Sequence, residues 1–193
     1  MRKRNARLIA GLMAVALVAS TVVTQPSVAS AAAKKTVTVK TQKQLDAALK
    51  DKKVTDIVIK TSKTISLKIK DGDYDKKSLS VSAPKATINN YGDFKKITVA
   101  DGKSFTDRGE GNNILVKDKN SLTLVTGKQS SDTKIIVSTS AKGGKINIVN
   151  NGSVDAIKIN GKSTVTVGGN SKDAPTITNN ATGAKIVASM DAN

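Results

Sequence analysis

Cysteine, histidine and tryptophan are absent from this chain of 193 residues, and each absence removes a class of chemistry. Without cysteine there is no disulfide, no thiol nucleophile and no lipid-attachment point beside a processing site. Without histidine the imidazole base and the commonest zinc ligand are gone. Aromatic side chains are limited to Tyr74, Tyr91, Phe94 and Phe105, so a core must be built from Ile, Val, Leu and Ala. Such a core suits a narrow, repetitive body. Carboxylates are scarce too, with Glu110 the one glutamate, and no motif calls for a cofactor.

What is present begins with an export signal. Arg2, Lys3, Arg4 and Arg7 precede the apolar run from Leu8 to Ala19, which is followed by a polar stretch with Pro26 and the small triplet Ala29-Ser30-Ala31. This is the three-part layout of a secretory signal, with cleavage expected after Ala31 and with Ala29 and Ala31 as the small residues the peptidase accepts. The run is shorter than the roughly 20 residues that span a bilayer, so an uncleaved anchor is the lesser alternative and no stable transmembrane segment is expected after processing. Lys3 separates Arg2 from Arg4, which removes the twin-arginine route. The expected destination is extracellular, free or at the cell surface.

Basic residues outnumber acidic ones 32 to 15, a formal charge of +17. Removing the four cations of the signal leaves 32 − 4 = 28 against 15, or +13. Arg108 is then the only arginine. Nucleic-acid readers use arginine forks and aromatic platforms, so a nucleic-acid partner is not expected. An anionic cell-wall polymer or polysaccharide would be attracted without site specificity. The lysines read as spread along the chain, which also fits the plainer role of keeping an exposed β surface soluble and its edges unpaired.

After a linker at 32–35, residues 36–53 read as an N-terminal cap. Thr36-Val37-Thr38-Val39 alternates as a strand, Thr41-Gln42-Lys43-Gln44 is a capping box, and Leu45, Ala48 and Leu49 follow at helical spacing. From 54 to 188 the chain is a series of short strands with β-branched residues at period two, separated by Gly, Asn, Asp and Lys, with 189–193 as a tail. The pairs Ile57/Ile59, Leu79/Val81, Ile97/Val99, Ile114/Val116, Ile135/Val137 and Ile157/Ile159 recur at offsets of 22, 18, 17, 21 and 22. Intervals near 20 residues fit one coil of a solenoid with two or three strands per turn, giving about six coils. A finer spacing of nine residues links Ile88 to Ile97, Ile148 to Ile157 and Ile177 to Ile186. Each link contains an Asn doublet and a Gly: Asn89-Asn90 with Gly92, Asn150-Asn151 with Gly152, Asn179-Asn180 with Gly183. Both residue types tolerate the left-handed backbone of a sharp corner.

The expected fold is all-β, a right-handed parallel β-helix with a short N-terminal capping helix. Residues 36–125 resemble the β-helix of the pectin-lyase-like superfamily, as found in secreted and surface proteins of Gram-positive gut bacteria. The resemblance rests on Thr41 to Leu49, Ile57-Val58-Ile59, Gly72-Asp73-Tyr74, Leu79 to Pro84, Asn89 to Phe94 and Gly111 to Val116. It implies that polysaccharide chemistry must be weighed, since lyases of this superfamily combine calcium-bound Asp clusters with an Arg or Lys base.

Two candidates follow. Asp71, Asp73 and Asp75 form the densest acidic cluster, yet the sixth and twelfth places of a calcium loop would be Lys76 and Ser82 in place of Gly and Glu. A structural turn is the leading reading and a calcium site the lesser one. Arg108, within Asp107-Arg108-Gly109-Glu110-Gly111, is the one candidate base beside acids, with pairing to Asp107 or Glu110 as the plainer role. The hydroxyls lack a His partner, which leaves covalent catalysis unsupported. The function expected is a secreted, non-enzymatic structural or interaction module. A carbohydrate-binding module centred between Tyr74 and Phe105 comes second, and a polysaccharide lyase third.

Overall fold

The computed structural model describes residues 34–190, so the signal segment with Ala29 and Ala31 lies outside the described residues. In chain order the strands are β1 (Thr36–Val39), β2 (Asp56–Lys60), β3 (Ser66–Asp107), β4 (Asn113–Val116), β5 (Ser121–Thr126) and β6 (Thr133–Val137). They continue with β7 (Lys145–Asn150), β8 (Val154–Ile159), β9 (Thr164–Gly169), β10 (Thr176–Asn179) and β11 (Lys185–Met190). One helix, α1 (Gln42–Lys50), lies between β1 and β2, and a single 3-10 turn spans Thr139–Ala141. β3 runs 42 residues without a break because it bends through successive corners while staying extended.

The fold is a parallel β-solenoid of about seven turns. Its first wall stacks β1 on β2, β2 on Ser78–Ser82 of β3, Ile97–Val99 of β3 on β4, then β4, β6, β8 and β10 in that order, every ladder parallel. The second wall stacks Ser104–Asp107 of β3 on β5, followed by β7, β9 and β11. The isoleucine pairs set this register directly: Ile57 lies opposite Leu79, Ile97 opposite Ile114, Ile114 opposite Ile135, and Ile135 opposite Ile157. All six of these first-wall positions are buried to within 1%. Each contributes roughly 1.5–3 kcal/mol by the usual measure for a buried aliphatic side chain.

Two further rungs account for the turn beyond the expected six. Val37 pairs with Ile57 and Ile177 with Ile157, so the strand assigned to the cap is already the first rung of the wall. The last strand also reaches Met190, two residues into the expected tail.

The helix forms where the capping box places it. Thr41 Oγ1 accepts from Gln44 N at 3.3 Å and Gln44 Oε1 accepts from Lys40 N at 2.8 Å. Its apolar face, Leu45, Ala48 and Leu49, closes the end of the core. Gln42 then extends the cover to the open strand edge, accepting from Lys68 N at 2.8 Å and donating to Lys68 O at 2.7 Å. An amide side chain thus satisfies the strand that the first coil leaves without a neighbour. Lys77, 8% exposed, fastens the far end by donating from Nζ to Asp51 O and Val54 O, each at 2.7 Å. Among the described residues no helix is long and apolar enough to cross a membrane.

The corners differ from expectation in one respect. Asn90 and Asn150 are fully buried and face inward, and of the glycines in the three Asn-Gly links only Gly183 takes the left-handed backbone, which otherwise falls on glycines such as Gly111 and Gly143, with Asp132 the only non-glycine to adopt it among the described residues. The nine-residue spacing also mixes two corners. Ile88 to Ile97 and Ile148 to Ile157 run from the second wall to the first, whereas Ile177 to Ile186 runs from the first to the second. Both corners take similar lengths of chain, so spacing alone does not separate them.

Candidate functional site

Asp71, Asp73 and Asp75 lie at a corner of the solenoid, just before Ser78–Ser82 of the first wall. They lie within β3, exposed, at alternate positions of extended chain. Residues two apart on a strand are separated by about 6.6 Å, too far to converge on one ion without a loop to fold them together. Asp73 Oδ1 is engaged by the amide of Asp75 at 2.9 Å, and among the described residues no group of three carboxylates is placed to hold a metal. The cluster also divides: Asp71 lines a groove with Tyr91 and Arg108, while Asp73 and Asp75 line a different one beside the end of α1.

Arg108 does not pair with Asp107 or Glu110. Successive strand residues face opposite ways, so Asp107 enters the core while Arg108 leaves it. The Arg108 guanidinium lies 5.0 Å from the Tyr91 ring centroid and donates to Asn89 Oδ1 at 3.3 Å. Glu110 is exposed, and the only ion pair among the described residues joins Lys35 to Asp51 at 2.7 Å.

Asp107 is fully buried without a cation. Its Oδ1 accepts from Asn90 Nδ2 at 2.8 Å and Asn112 Nδ2 at 3.0 Å, and its Oδ2 faces Thr133 Oγ1 at 3.5 Å. Desolvation pushes its pKa up to about 6, with the hydrogen bonds from Asn90, Gly109, Asn112 and Thr133 opposing that rise. The same inward column continues to Thr126 and Asn150, which bond each other at 2.8 Å. This ladder is a structural spine at the corner, and its titrating carboxylate faces away from solvent.

Tyr91 faces outward, and it is the aromatic that could serve a ligand. Phe105 is fully buried, Phe94 is 4% exposed, and Tyr74 packs on Phe94 with ring centroids 5.0 Å apart. Tyr91 instead carries Lys68 Nζ at 4.8 Å and the Arg108 guanidinium at 5.0 Å. A ligand stacking on this ring would displace a cation held at about 0.5–1 kcal/mol, a small cost.

The corner from the first wall to the second gathers lysines that are far apart in sequence. Lys60 and Lys63 lie on its first connection, Lys85 on the second and Lys103 on the third, all exposed. Lys117 and Lys119 follow on the fourth, Lys142 on the fifth and Lys162 on the sixth, likewise exposed. Backbone bonds stack these connections, with Thr61 N on Ser82 O, Lys117 N on Val99 O, Ser138 N on Val116 O and Gly143 N on Lys162 O. Two carboxylates share this edge among the described residues. Asp118 is buried and committed to Gly102 N at 2.9 Å and Asn120 N at 2.7 Å, which leaves half-buried Asp101 as the one turned outward. At the N-terminal end Lys40, Lys60 and Lys63 line a groove of about 650 Å³ with Thr61, Ser62 and Ser82, and no acid joins them.

The opposite corner has the reverse character. Asp71, Asp73, Asp75, Asp93, Glu110, Asp132 and Asp173 all lie there, interleaved with Lys70, Lys76, Lys95, Lys96, Arg108, Lys128 and Lys172. The lysine edge is therefore strongly cationic, whereas the opposite corner is close to balanced. The sequence did carry the signal: the spacings from Lys63 through Lys85, Lys103, Lys119 and Lys142 to Lys162 are 22, 18, 16, 23 and 20, close to the offsets of the isoleucine pairs. Comparison with protein-family models, curated proteins and solved structures finds no match.

Proposed function

We propose that this protein is a secreted, non-enzymatic binding module whose lysine edge holds a linear anionic polymer of the cell envelope along the solenoid axis. The observation that carries the reading is the alignment of eight exposed lysines on one corner opposed by a single outward carboxylate. Adjacent parallel strands lie about 4.8 Å apart, so neighbouring coils present their charges well inside the roughly 8 Å screening length at physiological salt. A line of charge at that pitch favours an extended polyanion over a small ion. Lysine ammoniums on flexible stems act as point charges, which suits a polymer held without one fixed geometry. Binding over catalysis is favoured by the orientation of Asp107, which is turned into the core away from Arg108. The kinship with pectin-lyase-like domains belongs to this reading as a shared architecture.

Retention on purified wall polymers across a salt series tests it. The logarithm of the affinity should fall linearly with the logarithm of salt, and each of Lys85→Glu, Lys103→Glu and Lys119→Glu should lower that slope by roughly one. Lys76→Glu, Lys95→Glu and Lys128→Glu on the opposite corner are the controls. Equal losses from both sets would mean that total charge, and not the edge, governs binding.

A further inference from the structure

We infer a second binding face: the groove along the corner of mixed charge, from Asp71 to Asn170, takes an uncharged, hydroxyl-rich glycan chain, with Arg108, Gln129, Asp71 and Glu110 as its polar contacts. Two grooves meet there. One of about 280 Å³ includes Asp71, Tyr91 and Glu110, the next of about 400 Å³ includes Val125, Asn151 and Asn170, and Arg108 and Gln129 belong to both. The furrow is continuous because the corners stack, with Arg108 N on Asn90 O, Gly127 N on Asp107 O and Asn151 N on Thr126 O.

Charge selects the ligand class. Around the furrow three carboxylates, Asp71, Asp93 and Glu110, stand against three cations, Lys68, Arg108 and Lys128. An anionic chain would meet the carboxylates and a cationic chain the lysines and arginine. A neutral ligand meets neither penalty and can use both signs, since hydroxyls donate to carboxylates and accept from guanidinium and amide groups. These groups are free to serve. Arg108 makes one side-chain bond, to Asn89, and the side chains of Asp71, Glu110, Gln129 and Asn170 make none among the described residues. The Arg108 guanidinium stands 5.0 Å from the Tyr91 ring centroid, which biases its planar fork of donors toward the furrow. A peptide adding as a strand is disfavoured, because the parallel walls leave no unpaired strand edge along this corner.

Calorimetric titration of the secreted protein with cellohexaose, xylohexaose and N-acetylchitohexaose tests this face. At least one should bind with a dissociation constant near or below about 1 mM. Arg108→Ala and Gln129→Ala should each weaken it about tenfold or more. Raising salt to about 0.5 M should leave it unchanged, as should Lys85→Glu, because an uncharged ligand draws nothing from the lysine edge. Absence of heat with all three sugars at about 5 mM would overturn the inference, as would an affinity indifferent to both substitutions. Neither result bears on the polyanion reading, whose mark is loss of binding in salt.

Discussion

Replacing Asp107 by Asn should make the stability difference between variant and wild type change sign with pH. The carboxyl is buried and its pKa stands at about 6, above the ordinary 3.8, with desolvation as the largest cause. A raised carboxylate pKa means that the folded chain holds the proton more tightly than the unfolded one. Stability from this group is therefore fully present below pH 4 and is lost as pH rises through 6. The loss is 6 − 3.8 = 2.2 units, or about 3 kcal/mol at 1.36 kcal/mol per unit. Asparagine cannot ionise. Its oxygen can take the bonds from Asn90 and Asn112 and its NH₂ can face Thr133, but the accepted bond from Gly109 is weakened, at about 1 kcal/mol. Asp107→Asn should then be more stable than wild type by about 2 kcal/mol at pH 7.5 and less stable by about 1 kcal/mol at pH 4. Urea unfolding of both proteins in parallel across this range reads the difference directly and cancels the titration of every other group. At pH 7.5 the gain corresponds to about 4–8 °C in Tm for a domain of this size. A difference that stays flat with pH, or a variant less stable at both ends, would refute the reasoning.

Lys77→Met removes the ammonium from Asp51 O and Val54 O and should cost about 1–3 kcal/mol, with faster hydrogen exchange confined at first to α1 and the turn after it. Gly109→Ala places a Cβ against Gly92 O and the Asn112 amide of adjacent chain, so coil stacking must shift at a cost of about 1–3 kcal/mol, read by thermal unfolding. Calcium at about 5 mM should leave Tm unchanged, whereas a rise would restore Asp71, Asp73 and Asp75 as ligands. The secreted product should begin at Ala32 by N-terminal sequencing, and a start near Met1 would reject cleavage after Ala31.

The walls were legible because burial is periodic in two ways at once. Alternation within a strand marks the inward face, and recurrence of Ile pairs near 20 residues marks the stacking, so Ile114, Ile135 and Ile157 align from the sequence alone. The helix was equally plain, since a capping box and three apolar positions at helical spacing have one local solution. The corners were legible in part: the Asn-Gly segments do fall there, and Asn90 Oδ1 accepts from Gly92 N at 3.1 Å as turn chemistry requires, but the direction of the side chains was not. Asn90 and Asn150 look like turn residues because Asn favours turns, yet both face inward, where Asn90 donates to Asp107 and Asn150 accepts from Thr126. Whether a polar residue before a Gly points in or out depends on the strand phase carried into the corner, which composition does not report. Arg108 was placed beside its acids by sequence adjacency, which a strand converts into opposite faces.

The lysines are a harder case, and they show why a solenoid hides its surface pattern. In a globular fold, residues 20 apart have no fixed relation, so a charge every dozen residues looks like ordinary solvation. A coil of constant length turns that separation into contact distance. Two ammoniums on adjacent coils at about 4.8 Å repel by about 0.9 kcal/mol in water before screening, and longer reach along flexible stems reduces this without abolishing it. Interleaved carboxylates relieve such repulsion on the opposite corner, where Asp71, Asp93 and Glu110 alternate with Lys70, Lys95 and Arg108. The lysine edge has no such relief beyond Asp101, since Asp118 is spent on two backbone amides. Solubility alone does not require that asymmetry, because mixed charge on both corners would serve it equally well. A bound polyanion supplies the missing counter-charge, and that is the physical reason to read the edge as a surface for binding.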